Sequence, residues 1–225
     1  MMESDILNRL IESGLDGQAI ERLRIYASQV EAAPMNLTAF SPREFWIKGV
    51  FDALSLLPLI EQELPNGVLS VVDVGSGSGL PGMVLAIVRP LWACTLVDSR
   101  IKRTEFLSEV VTGLGLSKVS VVCARAEEWV RQNPGVRDSF DLVTARAVAP
   151  IRTALELTLP LARVGGVVMI PLGESGYRDL ITMEMFLSGL GGKVLPLIRP
   201  WVAVIEKIGP TAAKYPRAGS RLGQV

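Results

Sequence analysis

The chain has 225 residues, 49% hydrophobic and 20% charged, which excludes a disordered polymer and leaves ample apolar material for a core. Lys+Arg and Asp+Glu balance at 23 each, so net charge names no partner. Two cysteines and no histidine exclude a disulfide scaffold, a His-ligated metal, a histidine general base and a Ser-His-Asp or Cys-His nucleophile. The balance conceals an asymmetry, because residues 1–67 carry 10 acids and 5 bases whereas 68–225 carry 13 acids and 18 bases.

The acidic start, Met1-Met2-Glu3-Ser4-Asp5, has no apolar run behind a basic stretch, so no signal peptide is expected. Residues 3–63 read as helices. Leu7, Leu10 and Ile11, then Ile20, Leu23, Tyr26 and Val30, recur at helical spacing. A third helix starts at Ser41-Pro42-Arg43-Glu44, where Ser41 and Glu44 form a capping box and Pro42 suits the first helical position. It is expected to run to about Glu63, with Pro58 bending it or ending its first part.

From Val68 short β-branched runs alternate with amphipathic segments. Strands are expected at 68–74, 92–98, 119–123, 140–145 and 166–171, with helices near 81–89, 101–114, 127–133, 150–162 and 176–189. This alternation predicts an α/β fold, a doubly wound, mostly parallel sheet with helices on both faces. Segments 193–199 and 201–208 lack a helix-length spacer and predict an antiparallel pair at one edge, consistent with Pro196 and Pro200. The organisation is then a helical extension over 1–67, a sheet domain over 68–209 and a basic tail over 210–225. Apolar stretches are cut by Arg89, Arg152, Glu156 and Arg163, so no span of a bilayer is expected, and a reducing cytoplasmic setting follows.

The main chemical signal is Asp73-Val-Gly75-Ser-Gly77-Ser-Gly79-Leu80-Pro81-Gly82, a buried strand entering a glycine-rich turn with a helix behind it. Its plain reading is a tight turn; its functional reading is a ligand cradle. Gly77 to Gly82 also satisfies the dinucleotide pattern G-x-G-x-x-G, which leaves an NAD-dependent oxidoreductase as one alternative. Asp73 argues otherwise. A carboxylate beside the turn repels a pyrophosphate and suits the ammonium of an amino acid. Asp98, at the end of the next strand, is placed for ribose hydroxyls, although an ordinary turn acid is its plain reading. Together these favour S-adenosylmethionine. Ala126 and Glu127 open a helix after the third strand, where Glu127 and Glu128 also suit a first turn. Arg146 follows the fourth strand and is expected to face the crevice.

Asp73–Gly82, Val97-Asp98-Ser99 with Lys102-Arg103 and Phe106-Leu107, Arg125-Ala126-Glu127, Phe140-Asp141 with Arg146-Ala147, and Asn36-Leu37-Thr38 resemble one family. It is the bacterial small-subunit ribosomal RNA guanine-N7 methyltransferases, the RsmG or glucose-inhibited division protein B family. The resemblance runs from about Asn36 to Lys214-Tyr215-Pro216-Arg217. It implies the class I S-adenosylmethionine-dependent methyltransferase fold, S-adenosylmethionine as donor and a guanine in the 530 loop of 16S ribosomal RNA as acceptor. By motif it places cofactor contacts on Gly75, Leu80, Ala126, Glu127 and Arg146, and a monomer acting on the small subunit without a metal is expected. Many members carry a histidine where this chain reads Lys48-Gly49-Val50, so any role of that histidine does not transfer.

The missing histidine agrees with this chemistry, because guanine N7 has an in-plane lone pair and no proton to remove. Thr144–Pro150 does not match the Asp/Asn-Pro-Pro-aromatic loop of amine methylation. Cys94 and Cys123 fall within expected strands and read as small buried hydrophobes, not nucleophiles. For RNA phosphates the candidates are Arg100, Lys102 and Arg103 beside the site and Lys207, Lys214, Arg217 and Arg221 near the C terminus; a solvated face is the plain reading of each group. A non-catalytic RNA-binding or assembly module on the same fold is the remaining alternative.

Overall fold

The computed structural model describes residues 2–65, 67–196, 202–219 and 222–223. Strands β1 (Ser70–Val74), β2 (Ala93–Asp98), β3 (Val119–Cys123), β4 (Phe140–Ala145) and β5 (Ala162–Pro171) pair in parallel. β6 (Gly192–Val194) and β7 (Val202–Lys207) complete the sheet in antiparallel fashion. The order is β3-β2-β1-β4-β5-β7-β6, so the expected antiparallel pair does lie at one edge. The direction of winding reverses between β1 and β4. A crevice opens at such a point beyond the strands' carboxyl ends.

Successive strand residues point to opposite faces, and both faces are covered. Val71, Leu96, Leu142 and Met169 join one core cluster. It includes α1 (Met2–Glu12), α2 (Gly17–Ala32), α6 (Gly82–Val88) and α7 (Ile101–Gly113). Val72, Val97, Val143 and Val168 join the other. There they meet α8 (Ala126–Gln132), α9 (Ile151–Thr158), α11 (Glu184–Gly189) and Tyr215. The N-terminal helices therefore share a continuous core with the sheet.

The third N-terminal helix departs from expectation. Its cap is as read: Glu44 N donates to Ser41 Oγ at 3.4 Å, and Ser41 N to Glu44 Oε2 at 3.1 Å. The body is a series of short pieces, α3 (Pro42–Glu44), a π-helical turn over Phe45–Val50, α4 (Phe51–Leu54) and α5 (Leu57–Glu63). The break falls at Ser55-Leu56, where the Ser55 hydroxyl donates to the Asp52 carbonyl. Pro58 opens α5, where its missing N–H leaves no helical acceptor unpaired.

Three later boundaries also shift. α9 stops at Thr158 because Pro160 follows and cannot continue it. β5 starts at Ala162, four residues before the expected strand, and its register shifts opposite Phe140–Leu142, next to Gly165-Gly166. The expected helix over 176–189 is two, α10 (Glu174–Ile181) and α11, parted where Thr182 Oγ1 donates to the Asp179 carbonyl at 2.7 Å. Of the edge segments, 197–201 lies outside the described residues, Pro200 included.

Because β7 is antiparallel, its last residues and the tail beyond them lie where the parallel strands begin. The tail is docked there. Thr211 and Tyr215 are buried, and Arg137 donates to the Tyr215 and Thr211 carbonyls at 2.7 and 2.8 Å.

Candidate active site

β1 ends at Val74, and the chain turns through Gly75–Pro81 into α6, with a cis Leu80–Pro81 peptide. Gly75 and Ser76 donate their N–H groups to the Val97 carbonyl at 2.7 and 3.0 Å, and Gly77 donates to Asp98 Oδ2 at 2.9 Å. The turn is thus fastened to the end of β2. From the opposite face, the buried Tyr26 hydroxyl donates to the Ser78 carbonyl at 2.7 Å.

Two glycines show why the turn needs them. Gly75 has φ +69°, and a Cβ there would lie 2.7 Å from Cγ2 of Val148. The loop after β4 thus rests directly on it. Gly77 has φ +57°, but a Cβ there would meet nothing nearer than Arg103 at 3.8 Å. Such a contact is ordinary, so it is the positive φ at Gly77, not a lack of room, that calls for glycine.

Asp73 is 1% exposed at the end of β1. Its Oδ1 accepts from Thr144 Oγ1 at 2.7 Å and its Oδ2 from Gly82 N at 3.3 Å, so it ties β1 to β4 and to the start of α6. Burial pushes its pKa up to about 6, against the Thr144 and Gly82 hydrogen bonds that hold it down. Asp98 lies closer to the opening. Its Oδ1 accepts from Arg100 N at 2.9 Å, and its Oδ2 faces both Gly77 N and Arg103 Nη1, the latter at 3.4 Å. A carboxylate has about four acceptor directions, so Asp98 keeps one for a hydroxyl.

Arg146 follows β4 with one-fifth of its side chain exposed. Nη2 lies 3.8 Å from Asp52 Oδ2, and Cζ stands 5.3 Å from the Phe40 ring centre. Burial lowers its pKa, opposed by the Asp52 and Asp73 carboxylates. Next to it, Ala147 has φ 51°, a left-handed conformation that costs about 1–2 kcal/mol in a residue with a Cβ. That turn carries Val148 onto Gly75. Ala126 and Glu127 sit buried in the first turn of α8, with Glu127 Oε1 3.8 Å from Arg125. Leu80 is buried against the N-terminal helices, and a Cβ at Gly49 would lie 2.9 Å from its Cδ1. The space that a side chain at position 49 needs is therefore taken by Leu80.

The basic candidates separate. Arg100 and Lys102 are exposed on the crevice rim, joined by the exposed Arg125, which is not among the phosphate candidates expected from the sequence. Arg103 instead turns inward to Asp98. Lys207 is fully buried, donating to Asp138, Thr211 and the Leu159 carbonyl at 2.6–2.7 Å. Arg217 grips Glu156, which is 0% exposed, through Nε at 2.9 Å and Nη2 at 2.8 Å. Neither is a phosphate contact: each is held by a buried partner. Lys214 is exposed, with Nζ 5.1 Å from the Tyr215 ring centre, at the end of the sheet away from the crevice. Arg221 lies outside the described residues. Cys94 is buried as read, but Cys123 is exposed, because it ends an edge strand.

Sequence reasoning missed the roles of Tyr26, Asp52 and Val148. Tyr26 carried only an ordinary apolar helix signal, and nothing local distinguishes Asp52 from a solvated helix acid. Among the described residues, no group of three or more His, Cys, Asp or Glu gathers as for a metal, and no helix is long and apolar enough to cross a membrane.

A glycine turn after β1, an acid after β2 and an arginine after β4, gathered where this sheet reverses, define a class I S-adenosylmethionine-dependent methyltransferase. The chain belongs to the GidB family, rRNA small subunit methyltransferase G, whose model matches residues 19–192. The ribosomal RNA small subunit methyltransferase G of Leuconostoc mesenteroides is 33% identical, over 96% of this chain and 95% of its own. That of Roseiflexus castenholzii is 38% identical over 91% and 90%, and that of Sorangium cellulosum 42% over 77% and 72%. A solved structure of an MtNAS variant in complex with S-adenosylmethionine shares the fold at TM-score 0.55 and 17% identity, over 83% of this chain and 76% of that one. M. jannaschii TYW2 in complex with AdoMet does so at 0.50 and 19%, over 66% and 76%. The protein is an rRNA methyltransferase with S-adenosylmethionine as methyl donor, and the dinucleotide reading falls away.

Proposed function

We propose that the protein methylates N7 of a guanine in the 530 loop of 16S ribosomal RNA, acting on the small subunit as a monomer in the cytoplasm. The observation that carries this reading is the convergence of the glycine turn and Arg146 at one crevice, joined by the contact of Val148 with Gly75. The residues fit the donor: a glycine turn with positive φ at Gly75 and Gly77, a spare acceptor on Asp98, Ala126 and Glu127 in the first turn of α8, and Leu80 where the turn meets the N-terminal helices. Asp73 holds the turn from beneath. When bound, S-adenosylmethionine supplies a methyl group on a positively charged sulfur.

What remains for the protein is positioning. Guanine N7 carries no proton, so no side chain must take one before transfer, and a chain without histidine loses nothing by it. Arg146, charged at every working pH and held by burial, Phe40 and Asp52, fixes the base against the donor. Arg100, Lys102 and Arg125 meet phosphates on the rim. Incubation with labelled S-adenosylmethionine and either deproteinised or assembled small subunits, followed by mapping, tests the reading. Label at N7 of a 530-loop guanine is the expected result; label on an exocyclic amine or on a pyrimidine overturns it.

A further inference from the structure

A second cleft, of about 370 Å³, opens at the carboxyl ends of β4 and β5, between the loop Arg146–Ala149 and the turn Pro171–Gly173. It abuts the glycine turn through Val148. Its lining is apolar or glycine except for two charged heads, Asp52 from α4 and Arg146. Those heads are 3.8 Å apart, beyond direct hydrogen-bond length, so each keeps donors or acceptors for a third party. An apolar slot closed at one end by an adjacent carboxylate and guanidinium suits a flat ring with an acceptor beside donors on one edge.

We infer that Asp52 is a specificity-determining residue that reads the target base. This inference rests on the guanine reading above. Guanine presents the O6 acceptor next to the N1–H and N2–H donors, whereas adenine presents an amino donor next to a bare N1. The guanidinium of Arg146 donates to O6, and the Asp52 carboxylate accepts from N1–H and N2–H. Adenine in the same pose sets donor against donor and lone pair against carboxylate. Asp52 is half exposed and lies on an N-terminal helix, so the helical extension supplies base selection while the sheet supplies the donor site.

A base-for-residue cycle tests this. Small subunits are reconstituted with RNA carrying guanine, or inosine, which lacks the N2 amino group, at the methylated position. Wild-type protein is expected to lose about tenfold in kcat/KM on inosine, as befits one lost hydrogen bond to a charged group. Asp52→Ala is expected to lose ten- to a hundredfold on guanine, with unchanged S-adenosylmethionine affinity by calorimetry, and to lose nothing further on inosine. Asp52→Asn, which keeps the shape of the side chain, is expected to fall between. If the inosine penalty in Asp52→Ala equals that of the wild type, Asp52 is only a latch between α4 and the β4 loop, and the inference is wrong. Wild-type label at a site other than guanine N7 overturns the function proposed above as well, and so separates the two failures.

Discussion

The two ends of the sheet carry similar charged residues and use them in opposite ways. Where the strands begin, Lys207 and Arg217 are matched to Asp138 and Glu156, so their charge is spent inside the protein. Where the strands end, Arg146 and Asp52 stand at 3.8 Å around a cleft, and Arg100, Lys102 and Arg125 face solvent on the rim. A basic run in a sequence therefore says little about a partner until its counter-charges are located. At the first end, removing a charge exposes an uncompensated buried ion; at the second, it removes a contact to a ligand.

The largest expected effect is accordingly structural. Arg217→Ala leaves Glu156, at 0% exposure, without its bidentate partner, and loss of one member of such a pair costs about 3–5 kcal/mol. Burial alone would raise the Glu156 pKa, but the Arg217 and Gly223 hydrogen bonds and the Arg217 charge bring it below the ordinary glutamate value. Its contribution is thus present above the unfolded-state pKa and lost as pH falls through the folded one. Denaturant midpoints should show the loss at neutral pH and a smaller one in acid, with methyl transfer per folded molecule unchanged. A folded variant that loses RNA affinity instead would restore Arg217 to the interface.

Arg146→Ala should do the reverse. A misplaced reacting base costs on the order of a hundredfold in rate, about 2.7 kcal/mol, with little change in the denaturation midpoint. Single-turnover rates at saturating RNA measure it. A preserved rate with weakened RNA binding would make Arg146 a binding residue only.

The contrast between the ends also marks what the sequence can and cannot say. β-branched runs fix the parallel strands because both faces of this sheet are buried, and Val71 and Val72 serve opposite clusters from adjacent positions. The glycine turn was legible because its spacing is local. The hydrogen-bond partners of Asp73 are not legible, since Thr144 and Gly82 are 71 and 9 residues away. Lys207 and Arg217 were misread for the same reason: Asp138 and Glu156 are 69 and 61 residues distant. Tyr26 reaches Ser78 across 52 residues, and no periodicity announces a hydroxyl's target.

A third test lies beneath the crevice. Asp73, with a folded pKa of about 6 against about 4 when unfolded, binds a proton between those values only in the folded state. Stability should therefore fall as pH rises from about 4 to 6 and stay reduced above it, by roughly 2–3 kcal/mol. Asp73→Asn should flatten that slope in paired denaturation curves at pH 5 and 7. An identical slope in both proteins would mean that Asp73 is ionised throughout.

The smallest expected effect separates the two ends most directly. Lys102 is exposed on the crevice rim and Lys214 is exposed at the far end, so each is a solvated lysine whose loss should leave the fold intact. They differ only in where RNA must lie for its base to enter the cleft beside Arg146. A phosphate neutralised by one lysine contributes about 0.7–0.9 to the slope of log affinity against log salt. Lys102→Ala should lower the slope by about that amount and weaken binding severalfold at low salt, with the rate at saturating RNA retained. Lys214→Ala should leave slope and affinity as they were, since its ammonium lies over the Tyr215 ring and its end of the sheet faces away from the crevice. Binding measured across a salt series reads both at once. Equal slope losses at the two positions would mean that the RNA wraps from one end of the sheet to the other, and that the division between a structural end and a functional end holds for buried charges only.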